Sequence, residues 1–151
     1  MRRTIVSDTS CFIILTNIGE LDLLHRTFGE IITTKEVVQE FGEELPSWVI
    51  VKSATDKYRQ RILEDQVDRG EASAIALALE FPESIIILDD YRARKVAENL
   101  GLAITGTIGV IIIAKKRGII GSIKPYLEKL RLMNFHLSEE IEKQALKEAE
   151  E

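Results

Sequence analysis

The stretch SIIILDD (84–90) decides the fold. Four consecutive aliphatic residues, three of them β-branched, form a strand with no polar face. Such strands are buried on both sides in the middle of a parallel sheet. The run then ends on two aspartates. IVSDTS (5–10) repeats the pattern near the start of the chain, with β-branched residues running into Asp8 and a hydroxyl pair.

Outward from these two strands, extended and helical patterns alternate. A strand over 4–7 leads into a helix from about Ser10, with Phe12, Leu15 and Ile18 on one stripe and a break near Gly19. GELDLLHRTF reads as a short helix and GEIITT as a strand. KEVVQEFGEE is a helix with Val37, Val38 and Phe41 inward, and WVIVKSA is extended after Pro46 and Trp48. A polar helix is expected from Asp56 to about Arg69, stopped by Gly70. EASAIALALEF is the next helix, YRARKVAENLG follows SIIILDD, and LAITGT is another strand. IGVIIIAKKRG reads as a helical or mixed apolar segment. Two terminal helices close the chain, the last capped by Ser138. Alternating β and α segments predict a single domain over 1–151, a three-layer α/β/α sandwich with a largely parallel central sheet. Residues 138–151 form its acidic C-terminal helix.

Composition narrows the class. The chain has 151 residues, 45% hydrophobic and 30% charged, which suits one globular domain. A lone cysteine, Cys11, excludes an internal disulfide framework and points to a reducing cytoplasm; its place in CFIIL suggests core. His25 and His136 lack metal-ligand spacing. The longest apolar runs are too short to span a bilayer. Arg2 and Arg3 open the chain, but Asp8 interrupts the apolar stretch that a signal peptide would need.

A net charge of −5 argues against a nucleic-acid partner until its distribution is considered. Residues 138–151 carry a net −4, whereas 89–131 carry a net +5. Local charge steers a polyanion more than the total does. Arg92, Arg94 and Lys95 are therefore candidates for contacts to a nucleic-acid backbone, against the equal alternative of a solvated helix face.

Ligands of open parallel sheets sit beyond the carboxyl ends of the strands. Asp8 and Asp89 occupy such ends, with Asp90 one step on and Thr105 and Thr107 ending a third strand. Each aspartate alone reads as a helix N-cap. Two strands ending this way shift the balance towards a shared site. Glu71 adds to it, because it shares the inward stripe of Ile75 and Leu79, where an unpaired charge is costly. A place in the first helical turn accounts for the residue type but not for its face. Glu40, three residues after Val37, lies on the inner flank of its helix; the competing reading is a solvated glutamate beside Glu43 and Glu44. Four converging carboxylates suit Mg²⁺ or Mn²⁺ and, through it, attack of water on a phosphodiester. Phosphate-binding loops of the G-x-x-x-x-G-K-[ST] and G-x-G-x-x-G types are absent, as is any Ser/His/Asp or Cys/His set.

These segments resemble a PIN domain, the nuclease fold of VapC-type toxins, over roughly 3–135. IVSDTS resembles the opening strand with a first acid at Asp8. TTKEVVQEF resembles the V-x-x-E helix, with the second acid at Glu40 rather than Glu36. RGEASAIALA resembles the G-E-A-x-A-I-x-L-A motif with Glu71 third, and ILDDYRARKVAENLGLAITGT resembles the last block, with Asp89 or Asp90 fourth. The resemblance implies Mg²⁺- or Mn²⁺-dependent cleavage of RNA, with Asp8, Glu40, Glu71 and Asp89 holding the metal, Asp90 as a substitute ligand, and Thr107 or Thr105 orienting a water or phosphate. In toxin members it implies a homodimer and an antitoxin protein. The longer insert 43–69 and the acidic terminal helix depart from the toxin pattern. The alternatives are a catalytically idle module that holds RNA or a partner protein, and a receiver-like phosphoacceptor. The latter needs an acidic pair on the first strand and a lysine ending the last, and neither is present.

Overall fold

The computed structural model describes residues 3–151, so Arg2 lies outside it. Five three-residue strands, β1 (Ile5–Ser7), β2 (Ile31–Thr33), β3 (Val49–Val51), β4 (Ile85–Ile87) and β5 (Ala103–Thr105), form one parallel sheet in the order β3-β2-β1-β4-β5. Between them and after them lie α1 (Thr9–Asn17), α2 (Asp22–Phe28), α3 (Lys35–Phe41), α4 (Lys57–Leu63), α5 (Arg69–Ala78), α6 (Tyr91–Asn99), α7 (Thr107–Lys116), α8 (Lys124–Leu132) and α9 (Glu139–Glu148).

Side chains of a strand alternate between its two faces, and the central strands divide their residues accordingly. Ile5, Ile31 and Ile87 join a core with Cys11, Phe12, Leu15, Leu24, Val110 and Ile111. Val6, Ile86 and Leu88 join a second core with Leu63, Ala72, Ile75, Ala93 and Ala97. Helices therefore cover both faces, which makes the three-layer sandwich expected of continuous apolar strands. None of the described helices is long and apolar enough to cross a membrane.

Three local expectations need correction. The polar helix after Asp56 ends at Leu63, not near Arg69, because the chain turns there and the Asp68 side chain begins a new helix by accepting from the Glu71 amide at 2.8 Å. Gly70 consequently lies inside the first turn of α5 rather than stopping a helix. Glu40 is exposed, and the buried glutamate of α3 is Glu36, at 6% exposure. Its carboxylate accepts a short hydrogen bond from Gln60 Nε2 of α4. This pairing joins α3 to α4 across the intervening β3, and no local periodicity records it.

Candidate functional site

The strand order reverses between β1 and β4: the chain runs from β1 outward to β2 and β3, then returns to β4 on the other side. Register pairs Ser7 with Ile87, so Asp8 emerges next to the Leu88–Asp89 end of β4. This is the topological switch point, where open α/β sheets bind their ligands.

Asp8 is 1% exposed. It stands at the N-cap position of α1 with extended backbone, yet its side chain makes no capping hydrogen bond, and Oδ1 has no partner at all. Burial is the largest influence on its carboxyl, followed by the negative charges of Asp89 and Glu71; together they hold its pKa well above the ordinary aspartate value. Proximity to the Cys11 amide offsets this only in part. A simple cap would spend its oxygens on amides. Asp8 instead leaves an acceptor buried and unused, which is costly unless something cationic or protic reaches it.

Asp89 is fixed from β5 and α7. The Thr107 amide donates to Oδ1 at 2.8 Å and the Thr107 hydroxyl to Oδ2 at 2.6 Å. Gly106 makes this approach feasible, since a Cβ there would stand 2.8 Å from Asp89 Oδ1 and 2.9 Å from Arg94 Nη1. Thr107 is fully buried and its neighbour Cys11 is core, as the apolar run suggests, with its thiol pKa pushed up by burial. Asp90 is a true helix cap, accepting from the Ala93 amide at 3.0 Å.

Glu71 is set in place by α5. Its side chain accepts from the Asp68 amide at 3.2 Å, completing a reciprocal capping box. The start of α5 is itself tied to α3, because Thr34 Oγ1 and Ser73 Oγ lie 2.6 Å apart. Desolvation first, then the charges of Asp68 and Asp90, push the Glu71 pKa up to about 7. Glu71, Asp68 and Asp90 line an open cleft of about 350 Å³ with Glu64, Asp65 and Arg92. Glu40, although exposed, reaches the rim: a Cβ on Gly70 would lie 2.6 Å from Glu40 Oε2 and 3.3 Å from Thr9 Oγ1.

Of the basic candidates, Arg92 lines the acidic cleft and Lys95 is exposed over the Tyr91 ring. Arg94 is half-buried and donates from Nη1 to the Leu88 carbonyl at 2.8 Å, buttressing the end of β4. Thr105 lies beside Gly106 on a groove that runs from Asp89 towards α9. Asp68 escapes the motif reading, although D-x-x-E at 68–71 is a legible capping pattern.

Among the described residues no three His, Cys, Asp or Glu side chains are grouped closely enough to hold a metal ion. Three of the acids satisfy local donors: Asp89 takes Thr107, Asp90 caps α6 and Glu71 completes its box. The donor set nonetheless fits a hard cation, because it is all oxygen, mutually repulsive, and centred on an orphaned Asp8 oxygen.

Sheet, switch point and acids together define an α/β protein with an acid-lined cleft beyond the ends of its central strands. The chain belongs to the PIN-domain family, whose model matches residues 4–151. PIN domains are generally nucleases and typically work with divalent metals. No curated protein is similar enough to the chain to be matched to it.

Proposed function

We propose that the chain is a metal-dependent ribonuclease, cutting phosphodiester bonds within RNA. The observation that carries this reading is Asp8, buried beside Asp89 and Glu71 with one oxygen unpartnered. Asp8, Glu71, Asp89 and Asp90 are the residues that would hold Mg²⁺ or Mn²⁺, with Glu40 at the rim. When bound, such an ion supplies a water of lowered pKa and neutralises charge gathering on the scissile phosphate. The protein's own part is positional. Thr107 orients the Asp89 carboxylate, the Asp68 amide orients Glu71, and Arg92 and Lys95 approach the strand's phosphates. In the toxin-like form of this reading the chain is a homodimer restrained by an antitoxin.

A catalytically idle module is favoured by one observation, that Asp89, Asp90 and Glu71 each satisfy local donors. One experiment separates the two: incubate the protein with a fluorescent single-stranded oligoribonucleotide in Mg²⁺, in Mn²⁺ and in EDTA. Cleavage in either metal and none in EDTA supports the nuclease. RNA retained on the protein but uncut in all three buffers supports the idle module.

A further inference from the structure

At the opposite pole of the sheet, where β1 and β4 begin, lies a cleft of about 480 Å³. Its lining includes Arg3, Arg26, Arg117, His25 and Thr27, with no carboxylate. The arginines come from three elements: Arg3 precedes β1, Arg26 lies in the last turn of α2, and Arg117 is the C-cap of α7. We propose that this cleft binds a phosphoryl anion, either free or carried on an RNA strand.

The guanidinium groups are held by neutral acceptors. Arg3 donates from Nε to Glu83 O at 2.9 Å and from Nη2 to Ser84 O at 3.3 Å. Arg26 Nη2 donates to Ile119 O at 3.0 Å, and Arg117 Nη1 to Thr27 O at 2.7 Å. Arg117 also lies over the Phe28 ring, 5.2 Å from its centroid. Backbone carbonyls fix the orientation of each fork without cancelling its charge. Among the described residues none of the three pairs with a carboxylate, although acids outnumber bases in the chain by 25 to 20.

A guanidinium has five N–H donors, so these contacts leave most of them available. Complementing the negative ends of helix dipoles explains basic residues at the ends of α2 and α7. It does not explain Arg3, which stands at no helix end, nor the convergence of all three on one cleft. Thr27 supplies an independent sign of a ligand: it is 6% exposed, lines the cleft, and its Oγ1 has no hydrogen-bond partner. Three forks offer more donors than the two oxygens of a carboxylate accept. A tetrahedral phosphoryl group, with three or four acceptor oxygens, matches them better.

The site is independent of the acid crevice, and its test removes the metal. In EDTA, calorimetry and thermal unfolding are run with inorganic phosphate, with an unphosphorylated single-stranded oligoribonucleotide, and with acetate at equal ionic strength. Wild type, Arg26→Gln and Arg117→Gln are compared. Phosphate binding that raises the melting temperature, is not reproduced by acetate, and weakens by about tenfold in either variant supports a free anion, on the scale of one charge-assisted hydrogen bond. The same loss seen for the oligoribonucleotide, with no phosphate binding, supports a strand-borne phosphate. Binding of neither ligand, or equal binding by wild type and both variants, overturns the proposal. Should Arg117→Gln fail to fold, side-chain Nε resonances of the wild type decide: they should shift for Arg3, Arg26 and Arg117 on adding the ligand that binds, and unmoved signals there overturn it.

Discussion

At the scale of the residue, the question is whether Asp8 caps a helix or awaits a cation. A cap survives replacement by Asn, which caps about as well as Asp. Asp8 makes no capping bond through its side chain, so Asp8→Asn costs the fold little and relieves repulsion with Asp89 and Glu71. The variant should melt at or above the wild-type temperature in EDTA, while metal-dependent RNA cleavage falls by on the order of a hundredfold or more. Cleavage at the wild-type rate would exclude Asp8 as a metal ligand. Glu71 gives a pH signature. Its folded pKa, about 7, lies above its ordinary value of 4.5, so the folded state holds a proton that the unfolded chain releases. Stability from this group is full below about 4.5, declines as pH rises, and is gone above about 7. Glu71→Gln keeps an acceptor for the capping box and cannot ionise. Its melting temperature relative to wild type should therefore climb between those pH values in EDTA; a difference independent of pH would mean that Glu71 is not held protonated. Glu36 is a different matter, buried and bonded to Gln60. Gln60→Ala leaves that carboxyl without its donor and should cost about 2–3 kcal/mol in denaturant unfolding.

Elements carry these residues to one place, and the tightest junction is the turn between β5 and α7. Gly106 has φ −118°, open to any residue, so close approach rather than backbone freedom selects glycine. In Gly106→Ala the new Cβ would press on Asp89 Oδ1 and Arg94 Nη1, both held by hydrogen bonds, and would sit 3.4 Å from the Leu88 carbonyl. The expected result is a loss of about 1–3 kcal/mol in stability together with reduced cleavage, as Asp89 is moved off Thr107. Unchanged cleavage would show that the Asp89–Thr107 arrangement is dispensable. Elements of this kind were largely legible in the sequence. Strands 84–88 and 4–7 announce themselves because burial on both faces leaves no room for polar residues, and the acids that end them mark the crevice. Glu71 was legible as a charge on an apolar stripe. The split of 56–69 was not, because a polar stretch has no inward face to betray where its helix stops. Nor was the burial of Glu36 over Glu40, which depends on α4 folding back to bring Gln60 to α3. The arginine cleft escaped for a similar reason: its members lie far apart in the sequence, and only the sheet brings Arg3 to Arg26 and Arg117.

Across the whole molecule, segregated charge sets how a polyanion can approach. The basic stretch 89–131 and the acidic stretch 138–151 are not distant faces. A groove of about 790 Å³ begins at Asp89, passes Tyr91, Arg94 and Thr105, and is closed on its far wall by Glu140 and Glu148 of α9. α9 is anchored over α7 and the start of α8: Lys115 Nζ donates to the Ala149 carbonyl at 2.9 Å, and the Ile123 amide donates to Glu151 Oε2 at 2.7 Å. The Ser122 hydroxyl first, then the Ile123 amide and the Lys115 ammonium, draw the Glu151 pKa down to about 2, so the anchor persists at any physiological pH. An RNA strand following the groove from Asp89 would run beside the two α9 glutamates, within the screening length of about 10 Å at 0.1 M salt. Replacing both, as Glu140→Gln with Glu148→Gln, removes negative charge from that wall and leaves the Glu151 anchor intact. RNA binding at 50 mM salt should tighten several-fold, mainly through faster association, and the gain should fade as salt approaches 0.5 M. The melting temperature should stay within a few degrees of wild type, because both side chains are exposed. Binding unaltered at every salt concentration would direct the strand away from α9, over the opposite cleft lined by Glu71, Asp90 and Arg92.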